Sequence, residues 1–322
     1  MSWDTLNHHI YLGWVAEHMR FDKDYMATGS QAYQFPYLYW PVYKLAATGF
    51  RGVPAGIVLS TLHLVVVPPV WMISRLLIKE HGLLGVLLRS IAVMLAFMSA
   101  VPLKTLEATG NDLLAAAPVV WAVALILQAM ALDMTSATKT SIYAGLLAGL
   151  GVACKFSNGP LVILLPFLFL LFKSPLIDRP KWFVLNSVAT AIGFLVCFSI
   201  GATISGSPLA IRYTLSLVSV ITFFFQRHGK QATAPTEGKL LWALFLLIFA
   251  AFVPWLMTTG NGRYFMPVLL LIGPVCIGLI CRLPVTKGMK GAMALIVFSI
   301  QAVALAWRTT PAPIRLVVMD PG

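Results

Sequence analysis

Residues 112–132 read DLLAAAPVVWAVALILQAMAL, one carboxylate at Asp112 followed by 20 residues without Asp, Glu, Lys or Arg. Crossing the roughly 30 Å hydrocarbon layer takes about 20 apolar residues in a helix. The run therefore reads as a membrane span, with Asp112 at its mouth. Nine further apolar runs extend this reading along the chain. They are Val53–Ile78, Gly82–Leu103, Ser141–Phe156, Gly159–Phe172, Trp182–Ile204, Ala210–Phe225, Leu240–Thr258, Tyr264–Cys281 and Gly291–Trp307. The fold class expected is an all-α polytopic membrane protein of about ten transmembrane helices.

Composition agrees. Of 322 residues, 59% are hydrophobic and only 11% charged, with mean hydropathy +0.86. Soluble domains carry about 25% charged residues. The net charge of +12 would suggest nucleic acid in a soluble protein. Here the basic residues fall mostly in short connections between apolar runs, and no basic stripe carries stacking aromatics, so nucleic acid is excluded as a partner. Cys154, Cys197, Cys276 and Cys281 lie in or beside apolar runs without C-x-x-C spacing, and read as small buried apolar residues. The first twenty residues are polar and aromatic, without the apolar core of a signal peptide.

With residues 1–52 outside and ten alternating spans, the inner connections hold Arg75/Lys79, Lys139, Lys173/Arg179/Lys181, Arg227/Lys230/Lys239 and Arg282/Lys287/Lys290. Only Lys104, Lys155, Arg212 and Arg263 fall in the outer connections. That asymmetry follows the positive-inside rule. The chain divides into an outer segment 1–52, a transmembrane domain 53–307 and an outer tail 308–322, acting as one domain. In the outer segment, Leu6, Ile10 and Trp14 share one helical stripe and Asp4, Asn7, His8 and Tyr11 another. The run from Tyr33 to Tyr43, with Tyr37 and Trp40, suits the headgroup layer, where aromatic rings prefer to sit.

Several polar groups gather on the outer face. Asp4 lies one helical turn from His8, next to His9; a carboxylate and an imidazole so spaced share a metal or orient a base, or Asp4 merely caps the helix. Asp112, in Thr109-Gly110-Asn111-Asp112, is either a second carboxylate facing an aqueous cavity or a helix cap. Two carboxylates on one cavity repel unless a cation lies between them. Glu107 and the pair Asp22/Asp24 are further acidic candidates. Arg263, in Gly260-Asn261-Gly262-Arg263-Tyr264, offers a fork for phosphate where glycines permit close approach, and Lys155 sits between two short spans. Snorkelling is the alternative for both cations. His63 and His228 read as structural.

Five of these features together resemble the membrane-embedded GT-C glycosyltransferases, such as the protein O-mannosyltransferases and the bacterial lipid A aminoarabinose transferases. They are Asp4 in the first outer segment, the aromatic Pro36-x-x-x-Trp40, Asp112 opening a later span, the Gly-rich run ending in Lys155, and Arg263-Tyr264-x-x-Pro267. The resemblance implies transfer of a sugar from a polyprenyl-phosphate carrier to an acceptor whose identity it leaves open, at the outer, periplasmic face of a bacterial inner membrane. It implies Asp4 and His8 as catalytic groups, and Asp4, Asp112 and His9 around a divalent cation, Mg2+ or Mn2+. Arg263 and Lys155 would hold the carrier phosphate, and Tyr37, Trp40 and Tyr264 would contact substrate. Phe35 stands where the aminoarabinose transferases have a Lys before the loop proline, so His8, His9 or Lys44 has to supply that contact. The helix that precedes the first outer loop in those families has no counterpart before Asp4, so the sequence reads as truncated at its start. A transporter or flippase of a lipid-linked sugar and a non-catalytic membrane scaffold are the rival readings. Inverted repeats would favour the first, and no repeat is visible.

Overall fold

The computed structural model describes residues 8–18, 35–50, 52–106, 109–132, 137–172, 178–203, 237–258 and 261–309. All regular structure among them is helical. Two short helices, α1 (Ile10–Val15) and α2 (Trp40–Ala47), precede the bundle. Then follow α3 (Val53–His63), joined through a 3-10 turn to α4 (Val67–Leu77), and α5 (Gly82–Phe97), α6 (Ala100–Leu106), α7 (Asp112–Ala131), α8 (Thr138–Cys154) and α9 (Gly159–Leu164). The chain closes with α10 (Asp178–Thr203), α11 (Glu237–Thr258), α12 (Met266–Arg282) and α13 (Lys287–Thr309).

Six helical stretches are long and apolar enough to cross a membrane: Val53–Leu77, Asp112–Ala131, Asp178–Cys197, Gly238–Met257, Gly262–Arg282 and Lys287–Ala306. This is a membrane-embedded helical protein, but six falls short of the ten spans expected, for local reasons. The run from Gly82 breaks at Met98–Ser99 into α5 and α6. Helix α8 is rich in Gly, Ala, Ser and Thr rather than large apolar residues. The expected seventh span, Ala210–Phe225, lies outside the described residues. The short run Phe156–Leu171 is stretched by turning 3-10 over Leu165–Leu171. At about 2.0 Å rise per 3-10 residue against 1.5 Å in an α-helix, its length is about 29 Å, near the hydrocarbon thickness.

Helix α7 is the axis of the bundle. Apolar all round, it is buried along nearly its whole length, as such a helix must be. Helices at the periphery instead expose Leu195, Leu246, Phe249, Ile296 and Val303, the side chains that lipid solvates. Helices α8 and α10 run parallel and very close. Gly145 meets the backbone at Asn186, Gly149 that at Thr190 and Phe194, and Gly193 that at Leu146, so a Cβ at any of them would collide. This small-xxx-small packing lets van der Waals contact hold helices where lipid removes the hydrophobic drive. The Asn186 amide donates to Ser141 O at 2.7 Å across the same interface.

The turns sort into two ends. At one lie the start of α7, the Lys155–Asn158 turn after α8 and the Asn261–Phe265 turn before α12, linked through Asp112. At the other lie the Ile78–His81 connection and the junction of α12 with α13, linked through Glu80 and Lys290. The start of α11 belongs to this second end, where Gly238 faces the Arg282 guanidinium.

Candidate functional site

Asp112 is the centre of the first end. Its side chain has no exposed surface, so the aqueous cavity expected around it is replaced by two cations. Lys155 Nζ donates to Oδ1. Arg263 donates to Oδ2 from Nη2 at 3.1 Å and Nε at 3.4 Å. A buried carboxylate costs several kcal/mol unless it is paired and hydrogen-bonded, and three separate segments supply that pairing. Lys155 reaches it because α8 ends there, the Lys155 backbone turning extended at φ −159°. Arg263 is positioned by Asn261, whose Oδ1 accepts from the Arg263 backbone N–H at 3.0 Å. Gly110 lies against Asp112 Oδ2 and Arg263 Nη2, a close approach that a side chain would crowd.

Two cations share the Asp112 carboxylate. Lys155 is nearly enclosed, 11% exposed, whereas the Arg263 side chain is 43% exposed. Lys155 Nζ also sits 5.4 Å from the centre of the Tyr264 ring, a cation–π distance. Beside this clamp, an apolar groove of about 300 Å³ runs between α11 and α12, lined by Phe249, Phe252, Trp255, Phe265 and Ile272 among others. Trp255 stacks on Phe265 at 4.6 Å and donates to Asn261 O at 2.9 Å, which ties the mouth of the groove to the Arg263 turn.

The N-terminal segment docks on the same helices. Phe35, Tyr37 and Ala16 pack with Ala115 of α7 and Cys154 of α8. Tyr37 is buried, its hydroxyl has no hydrogen-bond partner among the described residues, and desolvation raises its pKa. His9 is buried, hydrogen-bonded through Nδ1 to Thr109 Oγ1 at 2.6 Å and stacked on Tyr39 at 4.8 Å. His9 therefore stands three residues from Asp112 in the loop it touches. His8 begins the helical turn ahead of α1 and is half-buried. Trp40 Nε1 donates to Glu17 Oε1 at 2.7 Å, and Lys44 pairs with the same oxygen at 2.5 Å. Lys44 and Trp40 thus brace the N-terminal segment. Glu17, missed in the sequence, holds both, and the Lys44 hydrogen bond lowers its pKa.

Asp4, Asp22, Asp24, Glu107, Gly260 and His228 lie outside the described residues. His63 is buried and hydrogen-bonds Leu106 O at 2.8 Å, tying α3 to the end of α6. All four cysteines are free thiols. Among the described residues, no three His, Cys, Asp or Glu side chains converge as a metal cage. Of the expected ligands, Asp112 has both oxygens engaged by cations and His9 faces Thr109. The third expected ligand, Asp4, lies outside the described residues. Searches against protein-family descriptions, characterised proteins and solved structures return no match.

Proposed function

We propose that the protein is a membrane glycosyltransferase that takes a sugar from a polyprenyl-phosphate carrier at the Asp112 end. The observation that carries this reading is the clamp of Lys155 and Arg263 on a buried carboxylate at the mouth of an aromatic-lined apolar groove. A lipid phosphate combines the two ligand chemistries this arrangement suits: an anion for the guanidinium fork and a hydrocarbon chain for the groove.

In this reading Asp112 holds the cations rather than reacting, because neither of its oxygens is available as a base. Arg263, the more exposed cation, meets the phosphate, and Lys155 adds its charge from behind. Both stabilise the negative charge that grows on the leaving phosphate as the glycosidic bond breaks. The group proposed to take the acceptor proton is Asp4, with His8 beside it in sequence. The site end is proposed as the periplasmic face, since Arg75, Lys79, Arg282 and Lys287 crowd the other end.

Purified protein in nanodiscs, given a labelled polyprenyl-phosphate sugar and a mixture of hydroxyl acceptors, is expected to release polyprenyl phosphate. Arg263→Ala should abolish the release. Binding without release in the parent would turn the reading to a flippase. Neither binding nor release would leave the clamp a structural element.

A further inference from the structure

We infer that Asn158 is a positioning residue for the cation clamp, acting through Lys155. The side chain is buried, 3% exposed. Its amide makes two hydrogen bonds, to Ala115 O of α7 at 3.0 Å and to Gly151 O of α8 at 2.9 Å. Ala115 lies three residues beyond Asp112, on the same stripe of α7. The Lys155–Asn158 turn is therefore fastened to one face of α7 at two points, the ammonium on Asp112 and the amide one turn deeper.

The turn is internally defined as well. The Lys155 backbone N–H donates to Gly151 O at 3.1 Å and that of Asn158 donates to Lys155 O at 3.0 Å. Gly151 carries the amide's second acceptor and sits against Val119 and Pro118 of α7, where a Cβ would not fit. The helices can thus approach closely enough for one short amide to span both carbonyls. Without that amide, Lys155 stays attached to the end of α8 but the turn loses its second anchor on α7. Its ammonium then trades Asp112 for water more often, and the clamp no longer presents both cations to an anion at once.

The positioning role stands on geometry alone; its effect on ligand binding rests on the lipid-phosphate reading above. The experiment separates the two. In ligand-free protein, acylation of Lys155 by a water-soluble amine reagent is followed by mass spectrometry, with Lys287 at the opposite end as internal control. Asn158→Ala is expected to speed Lys155 acylation roughly tenfold, the scale of a lost buried hydrogen bond, and to leave Lys287 unchanged. An unchanged Lys155 rate overturns the inference, as does an equal rise at both lysines, which marks general loosening. If the alanine variant is not monodisperse, Asn158→Ser, with one shorter donor, should raise the Lys155 rate about threefold, and a parent-like rate overturns the inference. The second arm measures polyprenyl phosphate binding in nanodiscs. Asn158→Ala should weaken it about fivefold in the parent background and not further in Lys155→Ala; additive losses overturn action through Lys155. A changed acylation rate in a protein that binds no polyprenyl phosphate keeps the positioning role and removes the lipid-phosphate reading.

Discussion

The two ends of the bundle are built from the same parts and arranged to opposite effect. Each has a carboxylate paired with a lysine and an arginine nearby. At the second end, Lys290 donates to Glu80 Oε1 at 2.8 Å and to Cys281 O at 2.6 Å, capping the last turn of α12. Arg89 donates to Ile78 O and Glu80 O at 3.0 and 2.8 Å, capping α4. Its cations are spent on helix C-terminal carbonyls, where backbone acceptors lack partners and the helix dipole favours positive charge. At the first end Lys155 and Arg263 are held by a side chain. Both converge on one fully buried carboxylate, and Arg263 keeps two-fifths of its surface open. Charge that closes a helix end is a staple. Charge gathered on a buried side chain, half-open and beside an apolar groove, is suited to a ligand.

The largest expected difference between the ends is in stability. Asp112→Ala leaves the enclosed Lys155 ammonium beside the Arg263 guanidinium without the carboxylate between them and should cost about 3–5 kcal/mol, the range for breaking a buried pair. Glu80→Ala should cost less, because the Glu80 side chain is 16% exposed where that of Asp112 is fully buried. Thermal unfolding of both variants in one detergent makes the comparison, and equal losses would break the contrast. Next in size, Arg89→Ala removes a charged donor from the Ile78 carbonyl that caps α4 and from the Glu80 carbonyl in the connection after it, and should cost about 1.5–3 kcal/mol. It should leave polyprenyl phosphate affinity unchanged. A matching loss of affinity would mean that the two ends are coupled.

The smallest effect is a pH dependence. The hydrogen bond to Lys290 holds the Glu80 carboxyl below the ordinary glutamate range. A depressed folded pKa means that the unfolded chain takes the proton first as pH falls. The staple's contribution is therefore full above the ordinary carboxylate range and lost as pH drops through the lowered value. Unfolding midpoints from pH 7 downward should converge for the parent and Glu80→Gln at the acid end. A gap that stays constant with pH would remove the linkage.

The apolar runs were legible because lipid imposes a length and a composition that a sequence cannot hide. Val53–Leu77, Glu237–Thr258 and Lys287–Thr309 lie close to where hydropathy put them. The break at Met98 and the 3-10 stretch after Leu164 were not legible, since both depend on backbone hydrogen bonding rather than on polarity. At the site, Asp112, Lys155 and Arg263 stood out as charges at span mouths. Their mutual pairing could not be read, because it joins residues 151 apart in sequence. Asn158 gave no signal at all: an amide beside Gly159-Pro160 reads as a turn residue. Lys290 read only as a charge of an inner connection, and its pairing with Glu80 shows only once α4 and α12 place the two together.

The account turns on whether the half-open clamp binds a lipid phosphate and the stapled end does not. Affinity for polyprenyl phosphate in nanodiscs, compared for the parent, Arg263→Lys and Lys290→Arg, tests this directly. A guanidinium fork is not replaced by a point charge, so Arg263→Lys should weaken binding by about 1.5–3 kcal/mol, the scale of a charged hydrogen bond. Lys290→Arg should bind like the parent. Parent-like affinity in Arg263→Lys, or an equal loss in Lys290→Arg, would contradict the assignment of the site to the Asp112 end.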